Sequence, residues 1–204
     1  MCLMKFTIYN YRIFIIVLIT MELDNIIKER RTVRKFTKHI VSDEEINTII
    51  DAALWAPSWA NTQTWEFIIV RDKDQITRIT EAYSNTNSAR ECSLNASALI
   101  MACAKTRISG CKNGLQRTKL SSWYMFDLGL AVQNLLLKAH EIGLGTVVVG
   151  AMDHEKVKKM LKLPVNYEVV VAIPIGKAAP GGTREAKRKD LKGATHLDFF
   201  KNPY

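Results

Sequence analysis

The sequence predicts one domain of mixed α and β structure, and three observations carry that expectation. Amphipathic stretches with helix-start chemistry alternate with short, almost continuously apolar runs of strand length. No repeat and no low-complexity linker divides the chain. Its 204 residues, 48% hydrophobic and 24% charged, are enough to bury a core without disulfides or metal.

The first twenty residues, MCLMKFTIYNYRIFIIVLIT, hold Lys5 and Arg12, no acid, and an apolar run over 13–19 that is too short to span a bilayer. They have the charge polarity of a signal peptide, but TMELDN offers no small-residue cleavage site. Residues 1–20 are therefore set apart as an extension of the domain at 21–204. Three readings of it are ranked: translation starting at Met21, an ordered extra segment packed on the body, and last a membrane anchor. No membrane association is expected of the domain.

A helix over 22–30 begins with acids and ends with bases, as the helix dipole favours. In SDEEINTIIDAALWAP, Ser42 and Glu45 make a capping box. Ile46, Ile49, Ile50, Ala53 and Leu54 share one helical face, and Pro57 ends the helix. TWEFIIVR is a strand whose apolar run implies burial on both faces. A short helix over 74–83 and a stretch rich in Asn and Ser lead to SALIMACA, a second buried strand, with Cys103 as a small core residue. Residues 106–121 form a basic, glycine-bearing loop, a candidate lid. WYMFDLGLAVQNLLLKAHEIG is the longest helix, apolar nearly all round and hence central, with Gly143 placed for a left-handed cap. A strand over 146–149, a helix over 153–161 and the strand YEVVVAIPIG follow. The tail, 177–204, lacks periodicity, and its HLDFF is a candidate added edge strand.

Net charge is +9, which suits nucleic acid, an anionic surface or an anionic small ligand. Cys2, Cys92, Cys103 and Cys111 show no C-x-x-C spacing and no histidine at ligand spacing, so no metal site is expected. Reduced thiols in a cytoplasm are the simplest reading. The bases concentrate in KERRTVRKFTK and TREAKRKDLK. Each could be a solvated face. No nucleic-acid motif or aromatic interleaving accompanies them, and one phosphate held by arginines from both ends of the chain explains them together. GLGTVVVG follows a helix and leads into a strand, the reverse of a dinucleotide fingerprint, and Ala151 and Met152 stand where a P-loop needs Lys-Ser/Thr. Gly150, at a strand's end, permits close approach of a ligand to the backbone. No serine–histidine–acid set is visible, and Asp127 suits a buried hydrogen-bonding role better than that of a base. The reactive group of an enzyme built this way would be a cofactor.

One stretch, APSWANTQTWEFIIV, sets two indoles and two amides just before a strand. Turn chemistry and a capped core edge account for the letters, and so does a flat, heteroatom-rich ligand.

Taken in chain order, RRTVRKF, APSWANTQTWEF, DLGLAVQNLLLKAHEIGLGTVVVGAMD and KRKDL resemble the flavin-dependent nitroreductase family, over the chain from residue 21 to the tail. The resemblance implies an α+β fold with a mostly antiparallel central sheet surrounded by helices. It implies a homodimer with exchanged C-terminal segments and two FMN sites at the interface. It places Arg30, Arg31 and Thr32 on the FMN phosphate and ribityl chain, with Lys187, Arg188 or Lys189 completing a phosphate clamp. Arg34 would face the N1/C2-carbonyl edge, where a fixed cation favours the reduced ring and one well-placed group is worth ~3 kcal/mol. Pro57, Ser58 and Trp59 would line the flavin. Asn61 and Gln63 would offer it amides, and Gly150 and Ala151 would lie by N5. Trp65 is assigned to the core. Departures from the family pattern are Thr64 for proline, Ala151 for a second glycine, Met152 for an aromatic, and a segment at 84–92 that does not align clearly.

The implied reaction is ping-pong: hydride passes from NADH or NADPH to flavin N5, then to a nitroaromatic, a quinone or another electron-poor small molecule. No protein side chain is expected to act as a catalytic base. The alternatives are another reaction of the superfamily (dehalogenation, flavin fragmentation or oxidation), a non-catalytic flavin-binding or redox-sensing protein and, last, a nucleic-acid binder.

Overall fold

The computed structural model describes residues 2–8, 11–17 and 22–204, so Met21, the preferred translation start, lies outside the described residues. Strands β1 (Cys2–Ile8) and β2 (Tyr11–Val17) pair antiparallel, with Cys2 opposite Val17 and Ile8 opposite Tyr11.

The domain runs through α1 (Leu23–Glu29) and α2 (Asp43–Leu54) to a 3-10 turn at Trp59–Asn61. Then come β3 (Trp65–Val70), α3 (Lys73–Glu81), α4 (Arg90–Leu94) and β4 (Ala98–Lys105). Two short strands, β5 (Cys111–Lys112) and β6 (Leu115–Gln116), make a hairpin inside the lid segment. The chain continues through α5 (Trp123–Glu141), β7 (Gly145–Thr146), α6 (His154–Met160) and β8 (Tyr167–Gly176). The capping box forms as its letters dictate. Ser42 Oγ accepts from the Glu45 N–H at 3.1 Å, and the Glu45 carboxylate accepts from the Ser42 N–H at 2.8 Å. Leu54 leaves the predicted face and is exposed beside Trp55.

The central sheet has the order β3–β4–β8–β7, and every pairing is antiparallel. Side-chain alternation along β4 builds two cores. Ala98, Ile100, Ala102 and Ala104 face α2 and α5, whereas Leu99, Met101 and Cys103 face the layer that holds α3, α4 and α6. The alanines let the long α5 lie close on the sheet. Burial on both faces holds for β4 but not for β3, which is the sheet's edge, with Glu66 exposed and Phe67 to Ile69 only half-buried.

The predicted strand over 146–149 is cut to two residues, and Pro174 supplies the reason. The Val147 N–H donates to the Pro174 carbonyl at 3.3 Å, but proline returns no N–H, so the ladder lapses. It resumes only as the Val149–Ala172 bridge. The predicted edge strand at HLDFF does not form. Asp198 and Lys201 take φ of +60° and +69°, which no ladder accepts, and only a His196–Pro203 bridge remains.

Residues 32–37 form an extended strap clamped between β7 and the start of the tail. The Val33 N–H donates to Thr146 O at 2.9 Å, that of Arg34 to Gly182 O at 2.8 Å, and that of Thr37 to Lys177 O at 2.9 Å. The clamp needs Gly145, where a Cβ would stand 2.6 Å from a Val33 methyl. Among the described residues, no helix is long and apolar enough to cross a membrane.

Candidate functional site

The first basic cluster spans the end of α1 and the strap, and the tail returns the second to it. Arg30, at the C-terminal end of α1, is half-buried. Burial lowers its pKa first, and the neighbouring charges of Arg188 and Arg31 lower it further. All three predicted tail bases are exposed, and Arg188 is the one whose charge acts on Arg30. A cavity of about 320 Å³ lies here, lined by Arg30, Arg31, His140, Thr146 and Thr183 among others. Thr32, bridged to Thr146, lies in the adjoining backbone. Arg31 turns its guanidinium onto the carbonyls of Lys28 and Arg30. Among the described residues, Arg30, Arg31, Arg34, Lys187, Arg188 and Lys189 form no salt bridge. Glu29 lines the same cavity but forms no salt bridge with these bases among the described residues, and like charges so held make a site for an anion.

Arg34 and the end of GLGTVVVG share a second cavity of about 340 Å³ with Ser84, Asn87 and Ser88. Gly145 and Gly176 are glycine because Val33 and Phe36 press on them, but Gly150 has no such neighbour. A Cβ there would meet only a Val171 methyl, at 3.8 Å, in ordinary contact. The N–H groups of Gly150 and Ala151 donate to nothing among the described residues, whereas the Ala151 carbonyl accepts from the Ser84 N–H at 3.0 Å and from Asn87 Nδ2 at 3.2 Å. The backbone here is fixed on its acceptor side and open on its donor side.

The loop at 57–63 forms a third wall. Pro57, Ser58 and Trp59 line a cavity of about 340 Å³ with Trp123, Phe126, Asp127 and Leu130. Trp59 and Trp123 pack with ring centroids 5.1 Å apart. Ala60, Asn61 and Gln63 all have positive φ, of +44°, +56° and +45°; asparagine tolerates this region, while each of the other two costs roughly 1 kcal/mol or more. Gln63 Nε2 donates to Asn61 Oδ1 at 2.9 Å, so the two predicted amides bond each other and leave one donor group and one acceptor for another partner. Trp65 is buried, as assigned. The Thr64 hydroxyl is buried without a partner among the described residues.

Comparison with known proteins decides the family. The sequence profile described as the Nitroreductase family matches residues 27–177. The chain belongs to the nitroreductase family. It is 32% identical over 151 residues to an Archaeoglobus fulgidus protein named as a candidate NADH dehydrogenase/NAD(P)H nitroreductase, covering 72% of this chain and 80% of that one. Among solved structures, a nitroreductase family protein from Clostridium novyi NT superposes with a TM-score of 0.71 at 30% identity, covering 90% of this chain and 97% of that one. An FMN-dependent nitroreductase from Clostridium difficile R20291 gives a TM-score of 0.71 at 25% identity, covering 87% of this chain and 99% of that one. The α+β nitroreductase fold and membership of a family of flavin oxidoreductases are thereby established.

The residues present fit the cofactor of this nitroreductase-family fold on two observations. The arginines around Arg30 form no salt bridge among the described residues, and Gly150 has no side chain and an N–H that donates to nothing among them. Sequence reasoning missed Asn87, which fixes the Ala151 carbonyl from a segment with no legible motif. It also missed Ser109, Thr118 and Trp123, which tie the lid to α5. Trp123 stood in plain view in WYMF, but only its ring contact with Trp59 reveals it as part of a wall.

Proposed function

We propose that the chain is an FMN-dependent NAD(P)H oxidoreductase acting on nitroaromatics, quinones or other electron-poor small molecules, as a homodimer. The cluster of Arg30, Arg31 and Arg188, which forms no salt bridge among the described residues, carries this reading. These residues, with Thr32, would hold the FMN phosphate, and Arg188 is the tail base chosen for the clamp. Bound there, FMN would supply two-electron hydride acceptance and donation at N5.

The chain's own residues bind, orient and tune. Arg34 would set a cation at the pyrimidine edge, and Gly150 and Ala151 would aim free N–H groups at the ring atom opposite. The Arg30 and Arg34 cavities adjoin through Val33 and Arg34 and through Thr146 and Val147, whereas no residue lining the Trp59 cavity is shared with or next in sequence to either. We therefore assign Pro57, Ser58, Trp59, Asn61 and Gln63 to the flavin of a second copy. Exposed Trp55, Phe199 and Phe200 offer the apolar surface such a copy would cover.

The test is an anaerobic visible spectrum of the FMN-reconstituted protein, before and after NADH and then NADPH. Bleaching of retained flavin supports the reading, and the more effective nucleotide names the reductant. Flavin that stays yellow would reduce the protein to a flavin binder, and no retained flavin would refute the cofactor assignment. Arg30→Ala should weaken FMN binding about tenfold to a hundredfold without loss of stability, because a hydrogen bond to a charged group contributes ~1.5–3 kcal/mol.

A further inference from the structure

Asp127 lies on α5, four residues past Trp123, and is 1% exposed. Both its carboxylate oxygens are taken, and by different segments. Oδ1 accepts from the backbone N–H of Trp59 at 3.1 Å, and Oδ2 accepts from the Ser109 hydroxyl at 2.6 Å. The second distance is that of a charge-assisted O–H···O bond. Ser109 is itself buried, and it is the lid's only described tie to Asp127. No salt bridge among the described residues neutralises Asp127, so these two donors are what make its burial tolerable.

A second tie runs parallel to the first. Trp123 Nε1 donates to the Thr118 hydroxyl at 2.7 Å, further along the lid. Gly110, with φ +76°, has to lack a side chain because the Trp123 indole occupies the space a Cβ would take. The Trp123 ring then packs on Trp59 at 5.1 Å and edge-on against Phe126 at 5.8 Å. The lid is thus fastened to α5 at two points, and through each of them to Trp59: by the carboxylate on the backbone side and by the indole on the ring side.

We propose that Asp127 is a positioning residue that couples the lid at 106–121 to the Trp59 loop, so that a change in the lid shifts with it the aromatic wall of the Trp59 cavity, which would receive the electron acceptor beside the second copy's flavin. The wall of Pro57, Trp59, Trp123 and Phe126 is apolar and ring-faced. A pocket so built selects flat aromatic acceptors, and the carboxylate holds its width. This specificity role rests on the oxidoreductase reading above; the mechanical coupling does not.

The experiment uses Ser109→Ala, which removes one hydroxyl and leaves Asp127 bonded to Trp59, with Ser109→Thr as the variant that restores the hydroxyl. Amide hydrogen exchange is followed in the 57–63 loop, to which Ser109 has no hydrogen bond of its own. Exchange there should quicken about tenfold in Ser109→Ala, the scale of one hydrogen bond to a charged acceptor, and return towards the parent rate in Ser109→Thr. In the FMN-loaded protein, KM for a two-ring quinone should rise several-fold in Ser109→Ala while kcat with a small nitro compound holds. Unchanged exchange in the loop would overturn the coupling, whether or not thermal stability falls. Quickened exchange with KM and kcat moving alike for both acceptors would overturn the specificity role. A chain that fails to take up FMN refutes the oxidoreductase reading and the specificity role with it, while loop exchange in the unloaded chain still decides the coupling.

Discussion

The strap at 32–37 and the loop at 57–63 both carry predicted ligand contacts, yet they are held in opposite ways. Backbone hydrogen bonds on both edges fix the strap, to Thr146 on one side and to Lys177 and Gly182 on the other. Its one arginine, Arg34, makes no side-chain hydrogen bond or salt bridge among the described residues. The loop has few such backbone bonds. It is held by side chains, Asp127 on the Trp59 N–H and Ser58 Oγ on the Gln63 N–H at 3.0 Å, and it accepts left-handed backbone at three residues that are not glycine. A segment that must present charge is best fixed by main chain, which leaves its side chains idle. A segment that must present ring faces and backbone groups is fixed from behind by side chains of its neighbours.

The largest effect is expected where the strap's clamp is broken. Gly145→Val would drive its three side-chain carbons into Val33, which is 4% exposed and cannot retreat. Urea denaturation should show a loss of about 3 kcal/mol, the upper end for overpacking, together with loss of flavin retention. If stability falls and flavin is still retained, the strap is not what presents the phosphate site.

The loop should answer in the other direction. Ala60→Gly relieves a left-handed alanine but loosens the unfolded chain, so stability should rise by only ~0.5 kcal/mol in the same denaturation experiment. A fall would mean that the loop's shape is set by something other than tolerated strain.

The smallest effect concerns pH beside the strap. Burial lowers the His140 pKa first; Arg30 and Arg31 lower it too, against an upward pull from Glu29. The unfolded chain therefore binds its proton first on acidification. The stability that depends on neutral His140 is present above the unfolded value near 6.5 and is lost as pH falls from there through the lowered native value. His140→Gln should flatten that part of the acid limb in a series of thermal melts, by a small amount because the ring is partly solvated. An identical acid limb in the variant would place its titration outside this balance.

Local chemistry was legible because it acts locally. Ser42 and Glu45 made their capping box, and Gly143 took its left-handed cap with φ +80°. The antiparallel sheet came only through the family resemblance. What escaped depends on position in space. TWEFIIVR and SALIMACA have like compositions, yet one is an edge and the other a centre, since apolar content cannot say how many neighbours a strand finds. HLDFF had strand-forming letters, but the turn geometry at Asp198 and Lys201 overrode them. The candidate site shows the same division. Arg30 with Arg188 was inferred as a pair of clusters but not as a pair of residues, because only folding sets a tail base beside the strap. Asp127 was recognised as a buried hydrogen-bonding residue, but its partners lie 68 positions back and 18 positions back along the chain.

The bare α-carbon of Gly150 has a practical meaning for anyone surveying this protein by exhaustive mutagenesis. The fold places no steric demand on that position, for an added methyl group would touch only Val171. Expression and folding assays should therefore pass alanine there without comment, and only an assay that reads a ligand would score it. Most positions confound the two kinds of information. This one separates them, and a single-atom addition there becomes a ruler for how closely the backbone and its ligand approach.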